Sequence, residues 1–434
     1  MSNEELKNSN GMEKIVSLCK RRGFVFQGSE IYGGLGGTYD WGHFGVALKN
    51  NIKQSWWKKF VDSRKDMYGM DAAILMRQEV WQASGHVAGF ADPMVECKKC
   101  HHRFRADQVG EKCPDCGGEF GKVEQFNMMF QTHVGATEDS SSVSYLRPET
   151  AQGMFVNFKN TVDAFHPKLP FGMAQIGKVF RNEIAPRDFI FRLRELEAME
   201  IEYFVRPEDW EKYFEYWHNE MLDWMEEIGI DMSKVHELEV LEADRAHYSK
   251  RTIDFEFDFP FGRKELFGLA YRTDFDLKTH GLSYLDEERG EKMIPHVIEP
   301  ALGVDRAVLT VLLSAYMEDE KDGEVRSYLK FKPNIAPVIC AVSPLLKNKP
   351  ELVEYANTKV YAPLKAEFGR VAWDDNGNIG KRYRRQDEIG TPFCIVIDFD
   401  TLTDDTVTVR DRDTGAQERV KVAELVSYIK NKLN

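Results

Sequence analysis

The chain has 434 residues, of which 42% are hydrophobic and 30% are charged, and its formal net charge at pH 7 is −13. This length predicts two or three domains, and this composition is typical of a globular protein. The negative charge argues against indiscriminate nucleic-acid binding, and no apolar run approaches the roughly 20 residues that a membrane helix needs, so we expect no membrane partner.

The N-terminal residues and the cysteines predict the compartment. The segment MSNEELKNSNGMEK is polar and mixed in charge, unlike a signal peptide. Cys19, Cys340 and Cys394 are solitary in the sequence. Solitary thiols are typical of a reducing environment, so we expect a cytoplasmic protein.

The first 95 residues predict a helix, a glycine-rich segment and a second helix. The glycine-rich segment, SEIYGGLGGTYDWG, lacks the Gly-Lys-Ser/Thr ending of a phosphate-binding loop, and tight turns explain its glycines better. The helical pattern resumes in VALKNNIKQSWWKKFV.

Two CxxC pairs follow, separated by twelve residues. This spacing is typical of a structural zinc site with four thiolate ligands, here Cys97, Cys100, Cys113 and Cys116. A redox pair or a knuckle that has lost its metal is the alternative. We expect a zinc-ribbon insertion over residues 96–123.

The segment FRNEIAPRDFIFRLRELEAMEIEYF, residues 180–204, carries many charges among large apolar residues. Charged residues recur two apart, at Arg181 and Glu183, at Arg192 and Arg194, and at Glu200 and Glu202. This spacing predicts two strands with their charges on one face. Between them Pro186 favours a loop. The hairpin is either a surface element with salt bridges or a floor for a charged ligand, because a charged sheet face needs polar partners.

Further along, apolar residues at steps of three and four from Trp210 to Ile228 predict one amphipathic helix, in a helical insertion over residues 206–250. IDFEFDFPFG and KELFGLAYRTDFDL predict strands, and ALGVDRAVLTVLLSAYM predicts an apolar helix. Arg306 falls in the first turns of that helix, where a cation opposes the helix dipole. It therefore needs an anionic or aromatic partner, which is either a buried salt bridge or a ligand.

From FKPNIAPVICAV onward, strands alternate with helices, and a hairpin lies around Asp413-Thr414-Gly415. This order predicts a small α/β domain with a mixed sheet. Its helix KRYRRQDE is either a solvated surface helix or a phosphate-binding surface on which Tyr383 stacks a base. The basic residues are Lys381, Arg382, Arg384 and Arg385.

Seven segments in this order resemble class II aminoacyl-tRNA synthetases, and within that class the homodimeric glycyl-tRNA synthetase family. They are YDWGHFGVALKNNIKQSWW, SGHVAGFADPM, RFRAD, RPETAQG, FRNE with RELEAMEIEYF, ELFGLAYRTDFDL and VIEPALGVDR. The resemblance covers nearly the whole chain. It implies an α+β fold with a class II catalytic domain over residues 1–333, built on an antiparallel sheet with flanking helices, and a C-terminal α/β anticodon-binding domain over residues 334–434.

The resemblance also implies a site for ATP. It assigns Arg181 to the α-phosphate and the amino-acid carboxylate, Glu183 to the adenine side, and Arg306 to the adenine face and the γ-phosphate. Glu265 would hold Mg²⁺ on the phosphates. The other implied ATP contacts are Asn182, Phe191, Arg192, Leu196, Leu266, Gly303 and Asp305.

For glycine, the resemblance implies an acidic cage around the ammonium group, formed by Glu149, Glu200 and Glu299. Arg105, Arg272 and Ala301 fall at the remaining substrate positions. Because a missing methyl group offers nothing to bind, alanine must be excluded by steric means.

Three residues depart from the family pattern. His43 replaces a proline in the first motif, Leu196 replaces a phenylalanine that stacks on adenine, and Ala301 replaces a serine of the glycine pocket. No charged catalytic group is missing.

The resemblance therefore implies a homodimeric ligase that joins glycine to tRNA(Gly), with ATP and Mg²⁺ as co-substrates, and the cysteine spacing adds structural Zn²⁺. One alternative is a synthetase-like protein that binds tRNA or a partner without aminoacylation. Another is a zinc-ribbon nucleic-acid binder, which would leave all motifs except the cysteines unexplained.

Overall fold

The computed structural model describes residues 3–321 and 323–433, and a seven-stranded sheet forms the centre of the larger domain. We label the strands of this main sheet in chain order: β1 Met67–Gly69, β2 Phe171–Phe180, β3 Glu195–Val205, β4 Val235–Glu239, β5 Arg251–Phe259, β6 Gly262–Thr273 and β7 His296–Gly303. Their spatial order is β4-β5-β6-β7-β3-β2-β1. Only the β1–β2 edge pair of this sheet is parallel, so the predicted antiparallel sheet is confirmed.

The hairpin β2–β3 is the pair of strands predicted from residues 180–204, but its strands have different limits. The ladder runs from Phe171 opposite Phe204 to Phe180 opposite Glu195. Arg181, Glu183, Arg192 and Arg194 therefore lie in the connecting loop, and the prediction that they belong to the strands is wrong. Pro186 and the left-handed conformations of residues 188 and 189 (φ 61° and 57°) turn the chain out of the ladder.

One face of the main sheet carries the hydrophobic core, which three helices cover. These helices are His43–Trp57, Trp210–Glu227 and Val304–Ala315. Trp56, Trp217 and Trp224 are fully buried between the helices and the sheet. The two helices predicted from apolar periodicity are thus confirmed, with the last beginning at Val304 because Ala301–Gly303 belong to β7.

The range 206–250 contains more than a helix. After Trp210–Glu227 the chain forms β4, which pairs with β5 at the edge of the main sheet. His43 is the first residue of its helix, the position where proline is common in helices, so the departure at this position leaves the helix start intact.

Further helices and strands complete the larger domain. The remaining helices are Asn3–Arg22, Gln78–Ala83, His86–Gly89, Ala151–Val156, Phe158–Phe165 and Phe275–Thr279. The remaining strands are Val25–Gln27, Tyr39–Trp41, Leu75–Arg77, Ala91–Glu96, Arg103–Arg105, Glu124–Asn127, Gln131–His133, Val143–Leu146, Tyr284–Asp286, Glu291–Met293, Tyr316–Lys321 and Glu324–Leu329.

The C-terminal part forms a separate five-stranded sheet with its own core. In spatial order its strands are Val371–Trp373, Cys340–Pro344, Phe393–Ile397, Thr406–Asp411 and Gln417–Lys421. The first three are parallel and the last two antiparallel, so the predicted mixed sheet is confirmed. Its helices are Pro350–Tyr355, Ala356–Tyr361, Ala362–Phe368, Ile379–Ile389, Thr401–Asp404 and Leu425–Leu433.

Ion pairs join this part to the larger domain at the end of helix Ile379–Ile389. Asp387 accepts from Arg326 at 3.2 Å, and Glu388 pairs with Arg21 at 3.2 Å. Within the ranges 3–321 and 323–433, no helix is both long enough and apolar enough to span a bilayer.

Candidate active site

A cleft of about 740 Å³, including its solvent-open part, lies on the face of the main sheet that the core helices leave uncovered. Twelve residues that the sequence assigns to ATP or glycine line it. They are Arg181, Glu183, Phe191, Arg192, Leu196, Glu200, Glu265, Leu266, Ala301, Gly303, Asp305 and Arg306. Asn182, Arg105, Glu149, Arg272 and Glu299 do not line the cleft itself.

The register of the sheet brings distant residues together on this face. Glu200 of β3 lies opposite Gln175 of β2 and Ala301 of β7, and Ala301 lies opposite Gly268 of β6. Because side chains alternate along a strand, this face also carries Ala198 of the same strand β3. Segments separated by more than 100 residues thus form one floor.

Arg306 closes one side of the cleft. Its guanidinium lies 4.4 Å from the centroid of the Phe191 ring, and its Nη1 donates to the Glu265 carbonyl oxygen at 2.9 Å. The Glu265 carboxylate is 3.4 Å away. Arg306 therefore has both the aromatic and the anionic partner that its place at a helix start requires. Its side chain keeps 25% exposure, so the contact is not a fully buried salt bridge.

The loop between β2 and β3 forms the opposite side. Arg181 Nε donates to the Pro148 carbonyl oxygen at 3.1 Å, and Arg192 Nη1 lies 3.4 Å from the Glu183 carboxylate. Arg194 fixes this loop by donating to the Glu183 carbonyl oxygen through Nε and Nη2, at 3.1 and 2.9 Å. Asn182 contributes its backbone N–H to the Met128 carbonyl oxygen at 2.7 Å. The loop is therefore held in place before any ligand binds.

Glu149 lies behind the cleft, buried to 9% exposure. Its Oε2 is 3.3 Å from His86 Nε2, and its Oε1 accepts from Gln152 Nε2 at 3.1 Å. Burial raises the pKa of this carboxyl, but His86, Arg272 and Gln152 outweigh burial and lower the pKa well below its usual range. Glu149 is thus a buried, ionised carboxylate.

Glu200 is held by the turn that follows Glu149. Its Oε2 accepts from the backbone N–H groups of Thr150 and Ala151, at 2.7 and 3.1 Å, and from the Thr150 hydroxyl. Burial and repulsion from Glu149 raise the pKa of Glu200 despite these donors. The two carboxyl groups therefore share one buried region.

Glu299 and Arg272 complete the acidic cage at its deep end. The registers of β6 and β7 shift between Tyr271 and Thr273, which marks a β-bulge at Arg272. Arg272 Nη1 donates to Glu299 at 2.8 Å, while Nε and Nη2 donate to Asp276 at 2.8 and 2.9 Å. Burial raises the pKa of Glu299 to about 8, because Glu200 and Glu149 add repulsion that Arg272 only partly offsets.

Two residues assigned to the site face other protein groups. The Asp305 carboxylate accepts from the Glu197 backbone N–H at 2.7 Å and lies 3.3 Å from Lys49 Nζ. It therefore fixes the start of helix Val304–Ala315 against β3. Arg105 pairs with Asp92 at 2.5 Å and Asp107 at 2.8 Å, on the cysteine insertion at the rim.

The four cysteines of the insertion converge as predicted. All four Sγ atoms lie within 4.8 Å of one another, with Cys97–Cys116 at 3.5 Å and Cys100–Cys113 at 3.6 Å. A tetrahedral ion with Zn–S bonds of about 2.3 Å requires S···S edges of about 3.8 Å, so the thiols fit a four-coordinate metal. A Cβ at Gly118 would come within 3.0 Å of Cys97 Sγ, so this turn closes tightly around the sulfur atoms.

The predicted basic surface of the C-terminal part requires a correction. Lys381 and Arg384 are exposed, and Arg385 pairs with Asp374 at 2.5 Å. Arg382, however, is 2% exposed and donates to the carbonyl oxygens of Pro344 at 2.6 Å and Asp375 at 3.0 Å. Its guanidinium holds the loop before the helix, so Arg382 is not available to phosphate.

Several residues of the site carry no strong signal in the sequence. Glu149 contacts His86 and Gln152, and Arg272 contacts Asp276. The Arg272 guanidinium also lies 3.8 Å from the centroid of the Tyr248 ring. His86 lies in SGHVAGFADPM and Gln152 in RPETAQG. Both segments carry the family resemblance, which assigns neither residue a role. Their positions next to charged motif residues are the signal that could have found them.

Comparison with known proteins places this site in a class. Residues 131–316 match the family model of the tRNA synthetase class II core domain (G, H, P, S and T), and residues 339–432 match that of the anticodon binding domain. The fold is similar to Giardia lamblia prolyl-tRNA synthetase in complex with prolyl-adenylate, with a TM-score of 0.72 at 16% identity over 99% of this chain and 79% of that chain. The chain is therefore a class II aminoacyl-tRNA synthetase in fold and domain content.

Relatives at higher identity define the family. A glycine–tRNA ligase of Lachnospira eligens is 50% identical over 460 residues, covering 97% of this chain and 98% of the relative. One of Clostridium acetobutylicum is 48% identical over 466 residues, covering 99% and 100%. This chain belongs to the glycine–tRNA ligase family, as its sequence motifs predict.

Proposed function

We propose that this chain attaches glycine to tRNA(Gly) in an ATP-dependent reaction with a glycyl-adenylate intermediate. The observation that carries the proposal is that arginines line the cleft and buried carboxyl groups lie directly behind it. Arg181 and Arg306 lie where a triphosphate would enter, and the acidic cage of Glu149, Glu200 and Glu299 lies behind them. This arrangement is complementary to phosphate at one end and to an ammonium group at the other.

In the first step, a carboxylate oxygen of glycine attacks the α-phosphorus of ATP. A C–O–P bond forms, the bond to the β-phosphate oxygen breaks, and pyrophosphate leaves with the electron pair. Arg181, which the Pro148 carbonyl orients, would stabilise the charge on the α-phosphate oxygens. Arg306 would cover the adenine face and reach the γ-phosphate from its position above Phe191.

Glu183 and Leu196 would hold the adenine from the other side. Leu196 lies on β3 and lines the cleft, where it would cover the base in place of an aromatic ring. Asn182, Arg192, Leu266 and Gly303 would complete the ATP pocket from the loop and the strand ends.

In the second step, a ribose hydroxyl at the 3′ end of tRNA attacks the carbonyl carbon of glycyl-adenylate. An ester bond forms, the bond between the carbonyl carbon and the phosphate oxygen breaks, AMP leaves with the electron pair, and the hydroxyl proton is released. The exposed Lys381 and Arg384, together with Arg385, would contact the anticodon end of tRNA(Gly).

Glu265 would hold Mg²⁺, which neutralises phosphate charge when bound. Glu265 lies opposite Glu256 across a β-bulge, and repulsion from both reaches Asp254, so this end of the cleft offers the oxygen ligands that Mg²⁺ prefers. Burial, followed by repulsion from Glu265 and Glu256, raises the pKa of Asp254 to about 7. A divalent cation would relieve this repulsion.

The four-cysteine cluster would bind one structural Zn²⁺. No carboxylate or histidine completes a catalytic coordination among the described residues of the cluster, which contains cysteines alone. The metal would fix the insertion that carries Arg105 and Asp107 at the rim of the cleft.

We also propose that the enzyme is a homodimer. Ile31 and Tyr32, in the glycine-rich segment, are 88% and 87% exposed, and Leu35 is 56% exposed. Such exposure of large apolar side chains in one short turn favours burial against a second chain. Sedimentation of an Ile31→Glu, Tyr32→Glu variant should show monomers. Leu402→Glu, at a 40% exposed position of the C-terminal part, should leave dimers intact, and dimers of the double variant would contradict the interface.

A cytoplasmic location completes the proposal. It is supported by the free, buried thiols of Cys19, Cys340 and Cys394, which suit a reducing compartment.

Glycine-dependent ATP–pyrophosphate exchange tests the proposed activity. The wild-type protein should exchange pyrophosphate with glycine and far more slowly with alanine or without amino acid. A protein that only binds tRNA would give no exchange while still retaining tRNA in a filter assay. Exchange that ignores glycine would overturn the proposal.

A further inference from the structure

Glu202 is a buried carboxyl group for which the activity proposed above gives no role. It is 0% exposed, and neither of its side-chain oxygen atoms has a hydrogen-bond partner in the structure. An ionised carboxylate in such a place loses its hydration without compensation, which costs several kcal/mol. Glu202 therefore needs either a counter-charge or a proton.

The register of the sheet shows what faces Glu202. On β3 it lies two residues after Glu200 and opposite Met173 of β2. The β3–β7 register, which pairs Glu200 with Ala301 and Tyr203 with Ile298, brings Glu202 opposite Glu299. Like charges directly opposite each other in a sheet are destabilising, and in a dry environment only one of the two carboxyl groups can remain ionised.

The other neighbours do not supply the missing charge. The positive charge of the Arg272 guanidinium on β6 only partly offsets the burial and the repulsion that raise the pKa of Glu202. In the described part of the chain, the three hydrogen bonds of this guanidinium go to Asp276 and Glu299, and none reaches Glu202. Asp276, on the helix Phe275–Thr279, and Glu200 add negative charge. Helix Ala151–Val156 covers the region with the neutral Gln152, which is bonded to Glu149 and Asp276.

The balance of charges in this region is strongly negative. The five buried carboxyl groups Glu149, Glu200, Glu202, Asp276 and Glu299 surround one buried guanidinium, that of Arg272. Further positive or titratable groups lie at the edge of this region: His86 at Glu149, Arg181 and the buried Arg147 near Glu200, and His280 near Asp276. Burial, followed by repulsion from Glu299, raises the pKa of Glu202 well above its usual range.

We propose that the Glu202–Glu299 pair holds a proton in the ligand-free enzyme and releases it when the ammonium group of glycine enters the acidic cage. Glu202 acts through Glu299 and is a positioning residue, since it does not line the cleft. In this step one carboxyl group of the pair loses its proton to solvent and becomes a carboxylate. The positive charge of the glycine ammonium takes the place of the charge of that proton. The inference rests on the proposed function, because it requires glycine in the cage.

A proton released on binding makes the affinity depend on pH. If the pair titrates near the value of about 8 that applies to Glu299, the apparent affinity for glycine rises about eightfold from pH 6.5 to pH 7.5. The ammonium of glycine stays protonated over this range, so the change reports on the protein.

Titration calorimetry of the full chain with glycine, in phosphate and in Tris at pH 7, measures the protons released. We expect about one proton per glycine for the wild type, from one titrating pair. Glu202→Gln keeps the size but removes one of the two facing carboxyl groups, while burial and repulsion from Glu200 and Glu149 still act on Glu299. Its proton release should therefore fall well below that of the wild type, and its affinity should depend less on pH. Glu195→Gln, on the same strand at an exposed pair with Lys178, should match the wild type.

The possible results separate the two proposals. Glycine binding without buffer dependence in the wild type would overturn the proton release, while exchange activity would remain. Unchanged release in Glu202→Gln would place the proton elsewhere and overturn the role of Glu202. Absence of both glycine binding and exchange would reject the proposed function itself.

If Glu202→Gln does not fold, infrared spectroscopy of the wild type provides the test. A carbonyl band of a protonated carboxyl group should disappear when glycine is added and persist when alanine is added. A spectrum without this loss would overturn the proposal.

Discussion

Replacing Glu149 with glutamine tests the acidic cage most directly. Each oxygen of Glu149 has one protein partner, Gln152 on Oε1 and His86 on Oε2, and the group is 9% exposed. Glutamine keeps the shape but presents a neutral amide to the ammonium of glycine. A hydrogen bond to a charged group contributes about 1.5–3 kcal/mol, so glycine activation should fall about ten- to 150-fold in kcat/KM.

ATP binding should change little in this variant. Arg181, Glu183 and Arg306 make no hydrogen bond with Glu149 among the described residues, and they keep their own partners. The assay is pyrophosphate exchange across glycine concentrations, with ATP affinity measured separately. Glu195→Gln, which removes only an exposed ion pair with Lys178, is the matched control.

Two results would refute this reasoning. An unaltered dependence on glycine would mean that Glu149 only supports His86 and Gln152. An equal loss of ATP affinity would mean that the substitution disturbs the whole floor and not the cage alone.

Four further outcomes are expected. Cys113→Ser should lower zinc, measured by elemental analysis, from about one ion per chain to well below it; retained zinc would contradict the four-thiolate site. Lys381→Ala combined with Arg384→Ala should weaken tRNA binding and reduce the slope of log affinity against log salt concentration by about two, without changing pyrophosphate exchange. Arg382→Ala should instead lower the thermal stability of the C-terminal part, because each hydrogen bond of its charged group contributes about 1.5–3 kcal/mol. The raised pKa of Glu202 contributes stability that is fully present below the unfolded pKa of about 4.3 and is lost as pH rises through the folded pKa. The free energy of unfolding of Glu202→Gln relative to the wild type should therefore increase with pH, by up to about 1.4 kcal/mol per pH unit. A difference independent of pH would show that Glu202 is ionised in the folded state.

The sequence predicts the hairpin β2–β3 but not its limits. Alternating charges and Pro186 locate two strands and a loop. The strand ends depend on contacts between distant residues, such as the Arg194 guanidinium on the Glu183 carbonyl and the Arg181 N–H on the Arg194 carbonyl at 2.9 Å. A local pattern contains no information about such bonds, so it extends the predicted strands into charged residues that belong to the loop.

The site shows a similar division. Buried glutamates and arginines are unusual enough to be found from motifs, whereas His86 and Gln152 are ordinary polar residues until the fold brings them to Glu149. The run of basic residues groups Arg382 with its exposed neighbours, because a run of charges carries no information about helical phase. Arg382, Gln386 and Ile389 recur at helical spacing and are all buried, so the periodicity of the helix contains this answer.

The two faces of β3 explain how the sheet tolerates so many buried charges. Met199, Ile201 and Tyr203 point into the hydrophobic core, and Glu200 and Glu202 point the other way. A slip of one residue would bury the carboxylates among the tryptophans and expose the apolar side chains, so the apolar face fixes the register. The energy of the core thereby holds Glu202 opposite Glu299 against their repulsion, and the same eleven-residue strand specifies both the fold and the acidic cage.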